Sequence, residues 1–130
     1  MTIEAYPLLW SEDPAAIADW AVGVLGVHEV WRADDGQGGQ IEHVELTWGG
    51  SKISINIKTD SYADTGPSGV ALAADDRQLV QAAHERAVAA GAVITQPLVE
   101  TRVAYGFTAL DPDRNQWWVH VETGFLDQLR

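Results

Sequence analysis

Cysteine is absent from this 130-residue chain. Disulfides, thiolate nucleophiles and Cys-type zinc sites are therefore excluded. Positive charge is scarce: 8 Lys and Arg face 19 Asp and Glu, for a net charge of −11. That balance repels phosphate backbones and argues against nucleic acid as a partner, while remaining compatible with a cationic ligand. Long apolar runs are missing too. No window approaches the length of a membrane span. The opening MTIEAYPLLW has no basic region and no extended apolar stretch, so no signal peptide is visible and the expected location is the cytoplasm. No phosphate-binding glycine loop, nucleophile elbow or HExxH motif occurs. The run Asp34-Asp35-Gly36-Gln37-Gly38-Gly39 has the composition of a cation loop. It lacks the spaced acids and closing Glu of a calcium site, and reads as a hairpin connection.

What is present is an ordinary globular composition, 46% hydrophobic, with six tryptophans. The length suits one compact domain or two small fused modules. Ile3 to Trp10 reads as a strand. Asp13 is a good helix N-cap and Pro14 fits the first helical position. Ile17, Trp20, Ala21 and Val24 recur at helical spacing, and Gly26 stops the helix. Val27 to Arg32, Gln40 to Trp48 and Ser51 to Ile57 then read as strands, the last two joined by Gly49-Gly50.

The order repeats in the second half. Gly69 to Ala74 is a strand. Asp75-Asp76 caps a helix with Leu79, Val80, Ala83, Ala87 and Ala90 on its apolar face, and Gly91 ends it. Ala92 to Leu98, Arg102 to Leu110 and Gln116 to Glu122 follow as strands. Asp111-Pro112-Asp113 supplies the turn before the last of them, because aspartate bonds backbone two residues on and proline fixes a turn's first corner. The expected fold is α+β: two tandem βαβββ modules that form a half-open, barrel-like trough with the helices outside. Residues 1–58 make the first module, 59–68 a polar linker, 69–124 the second module and 125–130 a tail, all in one fused domain.

Strand alternation assigns the faces. Gln116, Trp118, His120 and Glu122 share one face of the last strand, with Trp117, Val119 and Val121 on the other. Tyr6, Leu8 and Trp10 fall inward on the first strand, and Ser54 and Asn56 inward on the fourth. His43, Glu45 and Thr47 oppose the apolar face of their strand. Trp20 and Trp48 are expected in the core, Trp31 over a sheet edge, and His28 and His84 at the surface. His120 and Glu122, near a terminus, are expected to be solvated. His43 beside Glu45 is the best acid–base pair, since the carboxylate can orient the imidazole.

The duplicated order, the landmarks DPAAIADW, HVELTWGG and LDPDRNQWWV, and their spacing resemble the vicinal oxygen chelate superfamily, the glyoxalase and bleomycin-resistance group. The resemblance covers residues 3–122. The last landmark resembles the family's D-P-D-G-N turn with Arg114 in place of glycine, which implies a slightly different turn. The resemblance also implies a divalent ion held by four side chains, usually His, Glu or Gln. Here those positions fall on Tyr6, Asn56, Gly69 and Trp118, none of them a ligand of that set. The resemblance then implies no metal, no cofactor and no glutathione-dependent glyoxalase. It implies a cytoplasmic homodimer that binds, and sequesters, a flat aromatic or cationic molecule such as an antibiotic. Tyr6, Leu8, Trp10, Asn56, Gly69, Trp118 and His120 are its expected ligand-binding residues. The alternative is an isomerase or lyase that works through His43 and Glu45, or through an atypical metal bound by His43, Glu45, His120 and Glu122. A structural dimer without a ligand, and tandem ferredoxin-like modules, are the weaker options for function and fold.

Overall fold

Two aspartates start the two helices. The Asp13 carboxylate accepts from the Ala16 N–H at 3.2 Å, and Pro14 follows in the first helical turn. The Asp76 carboxylate accepts from the Gln78 N–H at 2.8 Å. In each case a side chain satisfies one of the orphan donors of a helix start. In the computed structural model, which describes residues 3–62, 64 and 66–129, these helices lie one in each of two compact units that divide between Gly66 and Pro67.

The first unit runs β1 (Leu8–Ser11), α1 (Pro14–Trp20), β2 (His28–Asp34), β3 (Ile41–Trp48) and β4 (Ser51–Ile57). Its sheet has the order β1-β4-β3-β2, with β1 parallel to β4 and the other pairs antiparallel. The second unit runs β5 (Gly69–Ala74), α2 (Arg77–Ala89), β6 (Val93–Glu100), β7 (Ala104–Leu110) and β8 (Gln116–Glu122). Its sheet has the same order, β5-β8-β7-β6. The chain is thus α+β, two tandem βαβββ modules, with a fourth strand in each that ferredoxin-like modules would lack. No helix among the described residues is long and apolar enough to cross a membrane.

Each helix packs on one face of its own sheet. In the first module Ile17, Ala21 and Val24 bury against Leu9, Val44, Leu46, Ile53 and Ile55. In the second, Val80, Ala83 and Ala87 bury with Leu72, Phe107, Trp117 and Val119. Arg32 ties β2 to α1. Its hydrogen bonds to Glu29 and then to Asp19 at 2.8 Å push its pKa still higher than usual.

Several expectations need correction. The first strand begins at Leu8, not Ile3. Pro7 accepts from the Ser54 N–H at 3.0 Å but has no N–H to give, so the ladder stops there. Trp20 and Trp48 are half-buried, not core. Leu79 is 50% exposed and Ala90 lies past the end of α2. His84 is half-buried, edge-on to Phe107 at 5.0 Å. After Trp20 the helix widens into a π turn, Ala21–Leu25, closed by Gly26 at φ 81°. The linker holds a short 3-10 turn, Asp60–Tyr62, whose Tyr62 stacks on Trp10 at 4.0 Å. Its Ala63 and Thr65 lie outside the described residues, as do Met1, Thr2 and Arg130.

Asp111 organises the turn between β7 and β8. One carboxylate oxygen accepts from the N–H groups of Asp113 and Asn115, each at 2.9 Å. The other accepts from the Asn115 side chain at 2.8 Å and from Trp117 Nε1 at 2.9 Å. Arg114 stands at φ 68°, the left-handed conformation that suits glycine. The turn therefore follows the glycine geometry with an arginine in it, instead of adopting a different one.

Candidate ligand-binding faces

The face of each sheet turned away from its helix carries polar side chains and, on β1 and β8, Trp10 and Trp118. In the first module, register sets Leu8 beside Ser54, Trp10 beside Asn56, and His43 beside Asn56. Asn56 Nδ2 donates to Ser54 Oγ at 3.1 Å, and Ser54 Oγ lies 3.1 Å from His43 Nε2. The His43 ring stacks on Trp31, centroids 4.8 Å apart. Glu45 turns to Lys52, 3.6 Å away, instead of orienting His43. Lys52 also faces Glu4 at 3.4 Å and sits 4.8 Å above the Tyr6 ring. Those charges, Glu4 first, raise its pKa. Tyr6 precedes β1 and is 45% exposed, so it is reached through Lys52 and not through the strand. The polar groups of this face are engaged with one another.

The second module's free face is different. Trp118 stacks flat on His120, centroids 3.6 Å apart and planes 9° apart. His120 is only 4% exposed, against the expected solvation, whereas Glu122 is exposed. Its Nδ1 has no hydrogen-bond partner among the described residues. Burial pushes its pKa down, opposed by the Trp118 backbone and the Glu122 charge. Gly106 makes this packing possible. A Cβ there would lie 2.4 Å from the Val119 carbonyl and 2.7 Å from His120 Cβ. Beside Trp118 opens a recess of about 390 Å³. Gly69, Val70 and Ala71 line one side, and Gln96, Thr108 and Gln116 the rest.

Of the expected residues, Gly69 and Trp118 meet in this recess and His120 stacks behind Trp118, while Leu8, Trp10 and Asn56 share the first module's face. Gln96, Thr108, Ala71 and Gly106 went unnoticed. Alternation along β7 would have placed Gly106 and Thr108. Gln96 was hidden because the register of β6 shifts on both sides of it.

The four positions that the resemblance assigns to metal ligands do not fit one. Gly69 has no side chain, Trp118 offers an indole committed to stacking, and Tyr6 sits under an ammonium. Asn56 gives its amide N–H to Ser54. Among the described residues no three His, Asp or Glu side chains gather closely enough to hold an ion.

The model of the Glyoxalase/Bleomycin resistance protein/Dioxygenase superfamily matches residues 5–119. The chain belongs to that superfamily. Solved structures of the same fold include TioX from Micromonospora sp. ML1, at 23% identity, TM-score 0.77, covering 94% of this chain and 100% of that one. A glyoxalase/bleomycin resistance protein/dioxygenase family enzyme from Burkholderia phytofirmans PsJN matches at 22% and 0.69, covering 91% and 97%. Lactoylglutathione lyase from Agrobacterium tumefaciens matches at 18% and 0.68, covering 97% and 96%. No curated protein sequence matches significantly. Within this superfamily, then, the chain keeps the duplicated scaffold.

Proposed function

We propose that this superfamily member is a cytoplasmic binding protein that holds a small, flat, aromatic organic molecule by stacking, without a metal, and so sequesters it. The recess beside Trp118 carries the reading. It is a shallow, open recess of about 390 Å³, walled by an indole whose second face is fixed against His120. We further propose a homodimer, because β2 and β6 lie at sheet edges and carry exposed Val30, Trp31, Val93 and Val99.

Tryptophan fluorescence and thermal shift against a panel of flat aromatic compounds test binding. At least one compound should raise the melting temperature and change the indole emission. Trp118→Ala should weaken that compound about threefold to tenfold, the value of one aromatic stack. A panel with no response from the wild-type protein would sink the reading. So would stoichiometric zinc, nickel, manganese or iron in the purified protein, lost on mutating His43 or His120. Sedimentation as a monomer would remove the dimer.

A further inference from the structure

We propose that the recess on the second module selects an uncharged planar molecule with an amide-like edge, a hydrogen-bond donor and acceptor side by side on a flat ring. This inference rests on the binding function above and narrows its ligand class.

The lining determines the charge. Gly69, Val70 and Ala71 on β5 are small and apolar, and the polar groups opposite are Gln96, Thr108 and Gln116. Among the described residues no carboxylate, ammonium or guanidinium lines the recess. A cation placed there would meet one indole face and no counter-charge in the lining. An anion would enter a chain of net charge −11 and find no cation in the lining. His120, directly behind Trp118, adds no charge when neutral, and its burial favours that form.

The lining also determines the shape and the edge. Gly69 lies opposite Gln116 and Ala71 opposite Trp118 in the parallel ladder. Two side chains of one carbon or none leave a floor on which a flat ring fits next to the indole. Thr108 Oγ1 donates to Gln96 Oε1 at 3.4 Å, so the Gln96 N–H groups remain for a ligand. Gln116 commits its backbone N–H to the Ser68 carbonyl at 2.8 Å, and its exposed side chain is free among the described residues. A primary amide presents a donor and an acceptor on one carbon and in one plane, the same arrangement as the edge of a cyclic amide or amide-bearing heteroaromatic. Sites built on such pairs reject analogues that lack the matching groups.

Three matched bicyclic probes test this by calorimetry with the intact chain: 2-quinolone as the neutral lactam, N-methylquinolinium as the cation, and 2-naphthoate as the anion. Naphthalene serves as the apolar control. The lactam should bind at least tenfold tighter than the other three, the worth of two hydrogen bonds. Gln116→Leu and Gln96→Leu, both at exposed positions, should bring the lactam down to the level that naphthalene shows in the same variant. Ala71→Phe should block all four, and the melting curves of these variants should match that of the wild type. Equal binding of all four probes leaves the aromatic-binding function standing and overturns the neutral-amide selectivity. Tighter binding of the cation or the anion overturns it as well, as does a lactam affinity that ignores both glutamine variants. Silence from all four removes both readings together.

Discussion

The two modules share one strand order and one helix-capping device, yet their free faces are opposites. The first closes its polar groups on itself: Asn56 to Ser54, Ser54 to His43, Lys52 between Glu4 and Glu45. The second leaves an imidazole nitrogen without a partner among the described residues, and a recess beside the indole that covers it. Buried polar groups in folded proteins are normally satisfied. A face that satisfies itself contributes to the stability of its module, and the proposed binding function falls on the face with groups left over.

The turns differ in the same way, and the largest expected effect tests them. The β3–β4 connection needs only Gly49-Gly50, with Thr47 Oγ1 donating to local carbonyls. The β7–β8 connection depends on four bonds to one carboxylate. Asp111→Ala strands the Asn115 and Trp117 donors in a buried site and should cost about 4 kcal/mol in urea unfolding. A loss below about 1 kcal/mol would show that the turn stands without it.

Next in size is Gly106→Ala. The added carbon meets the Val119 carbonyl and His120 itself, so β7 and β8 must separate. The expected cost is about 3 kcal/mol, with the Trp118–His120 stack lost from near-UV dichroism. Unchanged dichroism would mean that the stack does not need the glycine.

Ser54→Ala probes the self-satisfied face. It removes the partner of both His43 and Asn56 in a buried position, at about 1–2 kcal/mol by thermal melting. Ligand affinity should not move. A change in affinity would bring the first module into the binding site and blur the contrast.

Arg114→Gly runs in the other direction. It relieves a left-handed backbone at a non-glycine residue and should stabilise the second module by about 1 kcal/mol. A neutral or destabilising result would mean that the arginine side chain repays its backbone cost.

The smallest effect is a pH slope. The folded state holds His120 below its ordinary pKa, so between that lowered value and about 6.5 the unfolded chain binds the extra proton. Stability is intact above pH 6.5 and falls as pH drops through the folded pKa. His120→Asn should flatten this part of the melting-temperature profile. An identical slope in the variant would assign it to another group.

Much of this was legible beforehand. β4, β5 and β8 have the residue bounds their alternation implies, because a half-buried strand repeats every two residues and the turn residues flanking it are distinctive. The assignment of Trp118 and His120 to one face, with Trp117 on the other, rests on the same period. What alternation cannot report is depth. His120 is buried because a glycine on the neighbouring strand removes a side chain, a pairing fixed by register and not by local pattern. Trp117 looked like one apolar residue among three, and its bond to Asp111 depends on a turn folding back six residues. The partner of His43 was misread for a similar reason. Glu45 is near in sequence, but Ser54 is the closer group across the ladder.

The π turn at Ala21–Leu25 carries a consequence for chain length. A one-residue deletion inside an ordinary helix rotates everything beyond it by about 100°, turning the buried stripe outward. Here the backbone already bonds across five residues, and Gly23 at its centre has open space where a Cβ would stand. Removing Gly23 would let the widened turn tighten to a regular one while Ala21 and Leu25 keep their side of the helix. Homologous chains one residue shorter, or laboratory deletants, should find their gap at this spot and spare both ends of the segment.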